Sequence, residues 1–283
     1  MPLIRVIFET TRAAFRSPVW RSERSASMAV IDGYYDLNQD PARWLPDQMA
    51  GVVEHLRATP VHLRCLYPQW FGIWEYGGPR GEVAPTYDPA KPRAQMEYVA
   101  TRLAAEGFAA GSIPLVYLDH EIPDPRGFAA RSKFLRAATA PLKTLLNCER
   151  INYTDATFRG SITEWSGFKR LTGSTIDRTD SVDCYTVKAG DLVRVMRNVR
   201  ACKRTGRVIP HLPPKISPTQ TQAEAQSQIR AMIHGLAPRG IDTFFVASYE
   251  WPEPLWPELV ACCTGAAAEA EAIAAADDDG VNA

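Results

Sequence analysis

One unit recurs along this chain: a short run of β-branched or aromatic apolar residues, a loop rich in polar and aromatic side chains, and then an amphipathic helix. Strands separated by helices cannot pair as hairpins, so they enter a sheet in parallel, with the crossover helices covering it. The candidate strands are IRVIFE (4–9), MAVIDGYY (28–35), VHLRCLY (61–67), PLVYLDHE (114–121), RINYTD (150–155), VDCYTV (182–187), RVIPHL (207–212) and DTFFVASYE (242–250). These eight match the number that closes a (β/α)8 barrel, whose length is typically about 250 residues. The expected fold is therefore α/β, a TIM-type barrel in one domain over residues 1–260. An alanine-rich helical extension with an acidic tail is expected over 261–283.

Helical spacing supports this reading between the later strands. Ala225, Ile229, Met232, Ile233 and Leu236 form one stripe after a start signal at Ser217-Pro218. Leu192, Val195, Met196 and Val199 form a second before Gly206, and Met96, Val99 and Leu103 a third before Gly107. Residues 126–147 read as a further helix kinked or split by Pro141. The first unit, with room for only a short helix between its strands, and the fifth-to-sixth connection, whose helical periodicity is poor, are expected to be irregular.

Composition narrows the class of partner. Thirty-two basic and 32 acidic residues give a formal net charge of zero, which makes no electrostatic case for nucleic acid or an anionic membrane. Cys65, Cys148, Cys184, Cys202, Cys262 and Cys263 include no C-x-x-C pair and read as reduced thiols. The N-terminal MPLIRVIFETTRAAF has no signal-peptide core, and no stretch reads as the roughly 20 apolar residues of a membrane span. A soluble, cytoplasmic protein is expected. No G-x-G-x-x-G, G-x-x-x-x-G-K-[ST] or G-x-S-x-G is present, so no cofactor and no serine nucleophile is expected.

In a barrel the chemistry sits at the carboxyl ends of the strands. The residues there are Glu9; Asp32, Tyr34 and Tyr35; Tyr67, Gln69 and Trp70; Asp119, His120 and Glu121; Tyr153 and Asp155; Tyr185; His211 with Lys215; and Tyr249, Glu250 and Trp251. Carboxylates interleaved with aromatics suit a carbohydrate, whose ring faces stack on Trp and Tyr while its hydroxyls seek acceptors. The loop LYPQWFGIWEYGGPRG concentrates Tyr67, Trp70, Trp74 and Tyr76 and suits a stacking wall, although aromatics packing a long loop onto the core would look the same.

The stretch VYLDHEIPD (116–124) carries the sharpest signal. Strand alternation puts Tyr117, Asp119 and Glu121 on one face and Val116, Leu118 and His120 on the other. If Val116 and Leu118 pack under helices, both carboxylates belong to the barrel mouth. Carboxylates roughly 6–7 Å apart along a strand repel when both are ionised, which raises the pKa of one and suits it to act as a general acid. Asp119 would then hold the proton on Glu121 for delivery to a leaving-group oxygen. A bland alternative has the two acids capping a strand and the PDPRG turn.

An apolar run ending in D-x-E on a middle strand resembles the catalytic strand of (β/α)8 glycoside hydrolases, notably the chitinase, hyaluronidase and muramidase-type lysozyme groups. In chitinases the Glu is the acid, the preceding Asp assists it, a Tyr ends the sixth strand and a Trp ends the eighth. That resemblance implies Glu121 as the acid and Asp119 as its partner, with Tyr185 and Trp251 at the corresponding places. The longer D-x-x-D-x-D-x-E signature is absent, because Pro114 and Tyr117 stand where further acids would fall.

Glu250, in SYEWPEP, is a candidate second carboxylate, nucleophile or base according to its distance from the acid. Trp251, Trp70, Tyr67, Tyr35, Asp32, His211 and Tyr185 are the candidate substrate-binding residues. His120 and His211 with Asp32 or Asp119 lack H-x-H or H-E-x-x-H spacing, so no metal is expected. The leading expectation is a glycosidase acting on a carbohydrate substrate. A glycan-binding or structural barrel without catalysis is the alternative, and a metal-dependent hydrolase or lyase stands third.

Overall fold

Strands and helices alternate through the chain: β1 (Arg5–Glu9), β2 (Ser25–Ser27), β3 (Ala29–Asp32), helix α1 (Pro41–Ala58), β4 (Cys65–Gln69), α2 (Ala90–Ala105), β5 (Leu115–Asp119), α3 (Ala140–Leu146), β6 (Glu149–Thr154), β7 (Thr179–Asp183), β8 (Arg207–Leu212), α4 (Gln222–Leu236), β9 (Thr243–Ala247) and α5 (Trp256–Val281). This is a computed structural model, which describes residues 3–10, 17–32, 41–69, 89–119, 133–154, 179–183, 207–212, 220–248 and 251–281. The chain divides into two compact units, one of Met1–Ser27, Ser181–Ala201 and Val208–Ala283, the other of Met28–Asp180 and Cys202–Arg207.

In the second unit β3, β4, β5 and β6 lie side by side in chain order, each parallel to the next. Their outer positions Ala29, Ile31, Leu66, Val116 and Leu118 pack with Leu45, Met49, Val52, Val53 and Leu56 of α1, Met96, Val99, Ala100 and Leu103 of α2, and Leu142 and Leu146 of α3. The helices present apolar side chains every three or four residues and the strands every second residue, so the two periodicities mesh in one dry layer. At the amino ends of the strands, Arg64 donates to the carbonyls of Thr59 (3.0 Å) and Ser112 (3.3 Å) and lies over the Phe108 ring. Helix α2 ends at Gly107, whose φ of 87° is the left-handed region that glycine adopts without strain. Asn147, at φ 52°, ends α3 in the same way.

The first unit pairs β2, β1, β9 and β8 in that order, again all parallel. Phe8 packs on Trp20, ring centroids 5.0 Å apart, and Trp20 packs on Trp256 at the start of α5. Arg5 pairs with Asp242 at 3.5 Å, and Ser248 Oγ donates to the Glu9 carbonyl at 2.7 Å. Glu271 on α5 accepts hydrogen bonds from the Ile4 amide at 2.5 Å and from the Arg24 guanidinium. Helix α4 opens with a capping box in which the Thr221 hydroxyl accepts from the Glu224 amide while the Glu224 carboxylate accepts from the Thr221 amide. That bonding holds the Glu224 carboxyl below its ordinary value.

Several sequence expectations are corrected. The strand expected at 61–67 is shifted: Pro60 leads into a 3-10 turn over Val61–Leu63, and the strand runs from Cys65 to Gln69. The sixth strand lies at Thr179–Asp183, earlier than 182–187. The second is in two pieces, β2 and β3, starting at Ser25. Helix α4 is capped by Thr221 rather than started at Ser217-Pro218, and α1 was absent from the expected helices. Among the described residues between β1 and β2 stands a 3-10 turn, Pro18–Trp20. Helical residues at 133–138 break at Thr139, and α3 restarts with Pro141 in its first turn, where the missing N–H costs nothing.

The alanine-rich segment also differs from the expected extension beyond a single 1–260 domain. Helix α5 crosses residue 261 unbroken, and Leu259, Cys262, Cys263, Ala266, Ala267 and Ala270 are buried in the first unit. Glu253–Ala276 is, by length and composition, apolar enough to cross a membrane, with a mean hydropathy of 1.4, contrary to the sequence reading. Arg230 of α4 holds Glu269 on its polar side at 3.0 Å.

Two outcomes follow. Thr221→Ala removes the cap of α4 and is expected to lower the unfolding free energy by about 1 kcal/mol in urea titration. Burial pushes the Cys148 thiol from 9.0 up to about 12, and burial, with Cys148 adding to it, raises Cys65 as well. The folded state keeps these protons where the unfolded chain loses them. Their contribution is thus full below about pH 9 and lost as pH climbs through about 12. Cys148→Ala should flatten that alkaline fall in urea midpoints measured from pH 8 to 12.

Candidate functional site

Strand β5 decides which face can do chemistry. Val116 and Leu118 belong to the helix-facing layer. Tyr117, between them, is fully buried outside that layer, and its ring meets the Tyr67 ring of β4 edge-on with centroids 4.9 Å apart. The strand therefore has two packed faces, and backbone alternation assigns position 119 to the Tyr117 face. Asp119 is the last residue of β5, at its carboxyl end. That is the end at which open and closed parallel sheets alike bind ligands.

Two neighbouring pairs of strands are in register at their carboxyl ends. Asp32 of β3 is in register with Gln69 of β4, and Asp119 of β5 with Tyr153 of β6. Ile31 and Ala29 face the helices, and the buried Val30 lies outside that layer. Asp32 with Gln69, and Asp119 with Tyr153, are thus two paired sets of backbone positions at the carboxyl edge of the second unit.

The remaining expected residues divide by unit. In the first, Glu9 ends β1 and is partly exposed, and His211 lies on β8 in register with Phe245 of β9. Trp251 is only 2% exposed, with its backbone tied to Ser248 and its carbonyl accepting from Trp256 Nε1 at 3.0 Å. It is a packed residue after β9 rather than an open stacking wall. Its own indole N–H has no hydrogen-bond partner. Tyr67 likewise differs from the expected rim residue: it sits within β4, buried against Tyr117, and forms part of a floor. Glu121, Glu250, Tyr185, Trp70, Tyr35 and His120 lie outside the described residues. Gln69 and Tyr153, both named from the sequence as residues at strand exits, are placed by the structure in register with Asp32 and Asp119 respectively.

No family model matches the chain, and no curated protein matches it either. Among solved structures it is similar to a psychrophilic glycoside hydrolase family 10 endo-beta-1,4-xylanase, with TM-score 0.54 and 10% identity over 87% of this chain and 86% of that one. A hyperthermophilic endo-beta-1,4-glucanase solved with substrate gives TM-score 0.52 and 11% identity over 84% of each. 3-Dehydroquinate dehydratase from Geobacillus kaustophilus HTA426 gives TM-score 0.50 and 11% identity over 92% and 90%. The chain spans 47% of the length of the Rhizobium etli pyruvate carboxylase carboxyl transferase domain, a further match at TM-score 0.44. At such identities the likeness shows the α/β fold of TIM-barrel enzymes and no particular chemistry.

The two-faced reading of β5 has a direct measure. Leu118→Ala removes a fully buried side chain from the helix-facing layer and is expected to lower the unfolding free energy by about 2–5 kcal/mol. A loss under about 0.5 kcal/mol, the range of an ordinary surface change, would reverse the two faces.

Proposed function

We infer that this protein is a glycoside-hydrolase-like enzyme on a (β/α)8 barrel, cleaving a glycosidic bond in an oligo- or polysaccharide. The observation that carries the reading is the split of β5 into a helix-facing pair, Val116 and Leu118, and an opposite face led by Tyr117. A D-x-E motif beginning at Asp119 then continues from the Tyr117 face at the carboxyl end of its strand. The two xylan- and glucan-directed structural neighbours support the choice of a glycan.

In this reading Glu121 is the proton donor. Beside Asp119, one of the two carboxyls keeps its proton to higher pH than an isolated acid would, because two adjacent negative charges repel. Glu121 gives that proton to the glycosidic oxygen as the C–O bond breaks, so the leaving sugar departs as a neutral alcohol. Glu250 is the second carboxylate. At about 5–5.5 Å from the acid it would attack the anomeric carbon itself, and at about 6.5–9.5 Å it would activate a water. Tyr185, Trp70, Tyr35, Asp32 and His211 are the residues assigned to hold the sugar, with Tyr67 beneath.

Glu121→Gln keeps the size of the side chain and removes the transferable proton. Reducing-end release from xylan and from mixed-linkage glucan, assayed between pH 4 and 8, is expected to fall at least 100-fold, the lower bound for loss of a general acid. The thermal midpoint should stay within about a degree of the parent, since surface changes of this kind sit within about 0.5 kcal/mol. Full activity in that variant sinks the assignment. Oligosaccharide binding by the parent protein with no turnover would leave a glycan-binding module instead.

A further inference from the structure

Helices α1 and α2 leave a groove of about 570 Å3 between their outer sides. Ala50, Val53 and Ala58 of α1 line its floor, while Glu54 and Arg57 of α1 and Arg102 and Glu106 at the end of α2 stand around it. Arg57 Nη2 donates to the Glu106 carbonyl at 3.0 Å and to its carboxylate at 2.8 Å, and Arg102 reaches the other carboxylate oxygen at 2.7 Å. These bonds fix the level of one helix against the other. Both helices return between parallel strands, so they run the same way, and counting five residues back from Arg57 and from Glu106 sets Val52 about level with Thr101.

Beside the groove stands a knob. Tyr98, four residues before Arg102 and so on the same side of α2, is 39% exposed among the small, exposed Ala94, Thr101 and Ala105. On α1, Asp47 and Glu54 are exposed and enter no ion pair among the described residues. A knob and a groove on one face become complementary when a second copy is turned about a two-fold axis. With that axis crossing the helices at Val52 and Thr101, each helix lies antiparallel to its own copy. Asp47 then comes level with the second copy's Arg57, an acid against a base. Tyr98 comes level with the second copy's Ala104, between Arg102 and Glu106, where its ring meets the groove and a guanidinium. The groove carries two acids and two bases, and the whole chain has a formal net charge of zero, so two copies approach without repulsion. A small molecule is the poorer occupant, because a groove walled by two helices leaves it largely in water, whereas a ligand pocket encloses most of its ligand.

We propose that two copies of this chain associate through α1 and α2 about a two-fold axis, with Tyr98 of each seated in the groove of the other and Asp47 of each paired with Arg57 of the other.

Sedimentation velocity of the full-length chain from about 0.1 to 100 μM is expected to show a concentration-dependent change from the 31.4 kDa chain to twice that mass. Tyr98→Ala should raise the dissociation constant about tenfold or more, as truncation of an aromatic anchor does. Asp47→Arg brings like charges together and should weaken association about tenfold as well, as should Arg57→Asp. The double variant, Asp47→Arg with Arg57→Asp, restores opposite charges across the axis and should recover association. Arg57→Asp also loses the bonds to Glu106, so a thermal midpoint accompanies each variant. Tyr98→Ala and Asp47→Arg change exposed positions and report even where Arg57→Asp fails to fold. A monomer at every concentration overturns the proposal, as does assembly beyond two chains. A dimer that neither Tyr98→Ala nor Asp47→Arg weakens overturns it too, by placing the contact on another face, and so does a folded double variant that stays monomeric.

Discussion

The contact between the strand backs and the helices governs everything else in the second unit. Ala29, Ile31, Leu66, Val116 and Leu118 are drawn out of water against α1, α2 and α3, and this apolar layer fixes the rotation of each strand about its own axis. A strand turned by one residue would bring Asp119 beneath the helices and expose Leu118. The burial of the apolar set therefore fixes which backbone positions of each strand face the helices and which face away.

The same division of labour runs from end to end of the strands. The amino ends are closed by structural devices: Arg64 over Phe108 and bonded to two carbonyls, the Gly111 amide on the Leu146 carbonyl at 2.8 Å, and the buried thiols Cys65 and Cys148. The carboxyl ends carry Asp32, Gln69, Asp119 and Tyr153 instead.

Much of this was legible in the sequence, and the exceptions have physical causes. Strand β5 was read with its faces correctly assigned, since alternation is local and Val116 and Leu118 needed only a helix to cover them. Strand β8 was located at its observed ends, and the break at Pro141 followed from proline geometry. Strand β4 was displaced because Val61-His62-Leu63 has a strand-like composition, while the true strand contains Pro68, a residue that argues against a strand. Only pairing partners could reveal that Ile31 accepts Pro68 as its neighbour. The alanine-rich tail looked like an extension because alanine carries little hydrophobic signal. Its packing depends on small size, which lets α5 approach α4 closely, and size leaves no periodic mark in a run of alanines. Of the candidate site, Gln69 and Tyr153 were named from the sequence as strand-exit residues, and register adds that they pair with Asp32 and Asp119, a long-range relation that no local pattern carries.

Glu271 joins the two ends of the chain, taking the Ile4 amide and the Arg24 guanidinium from a helix that begins 252 residues after Ile4. Strand β1 finds its parallel partner β9 at a similar remove, Arg5 beside Thr243. During synthesis, then, strand β1 can meet β2 early but must wait for residues beyond 240 to meet β9 and Glu271. The second unit is nearly continuous in sequence and can assemble while translation proceeds. The first is a late, long-range closure, slow by its contact order, and its exposed edge in the interval is where a chaperone would act.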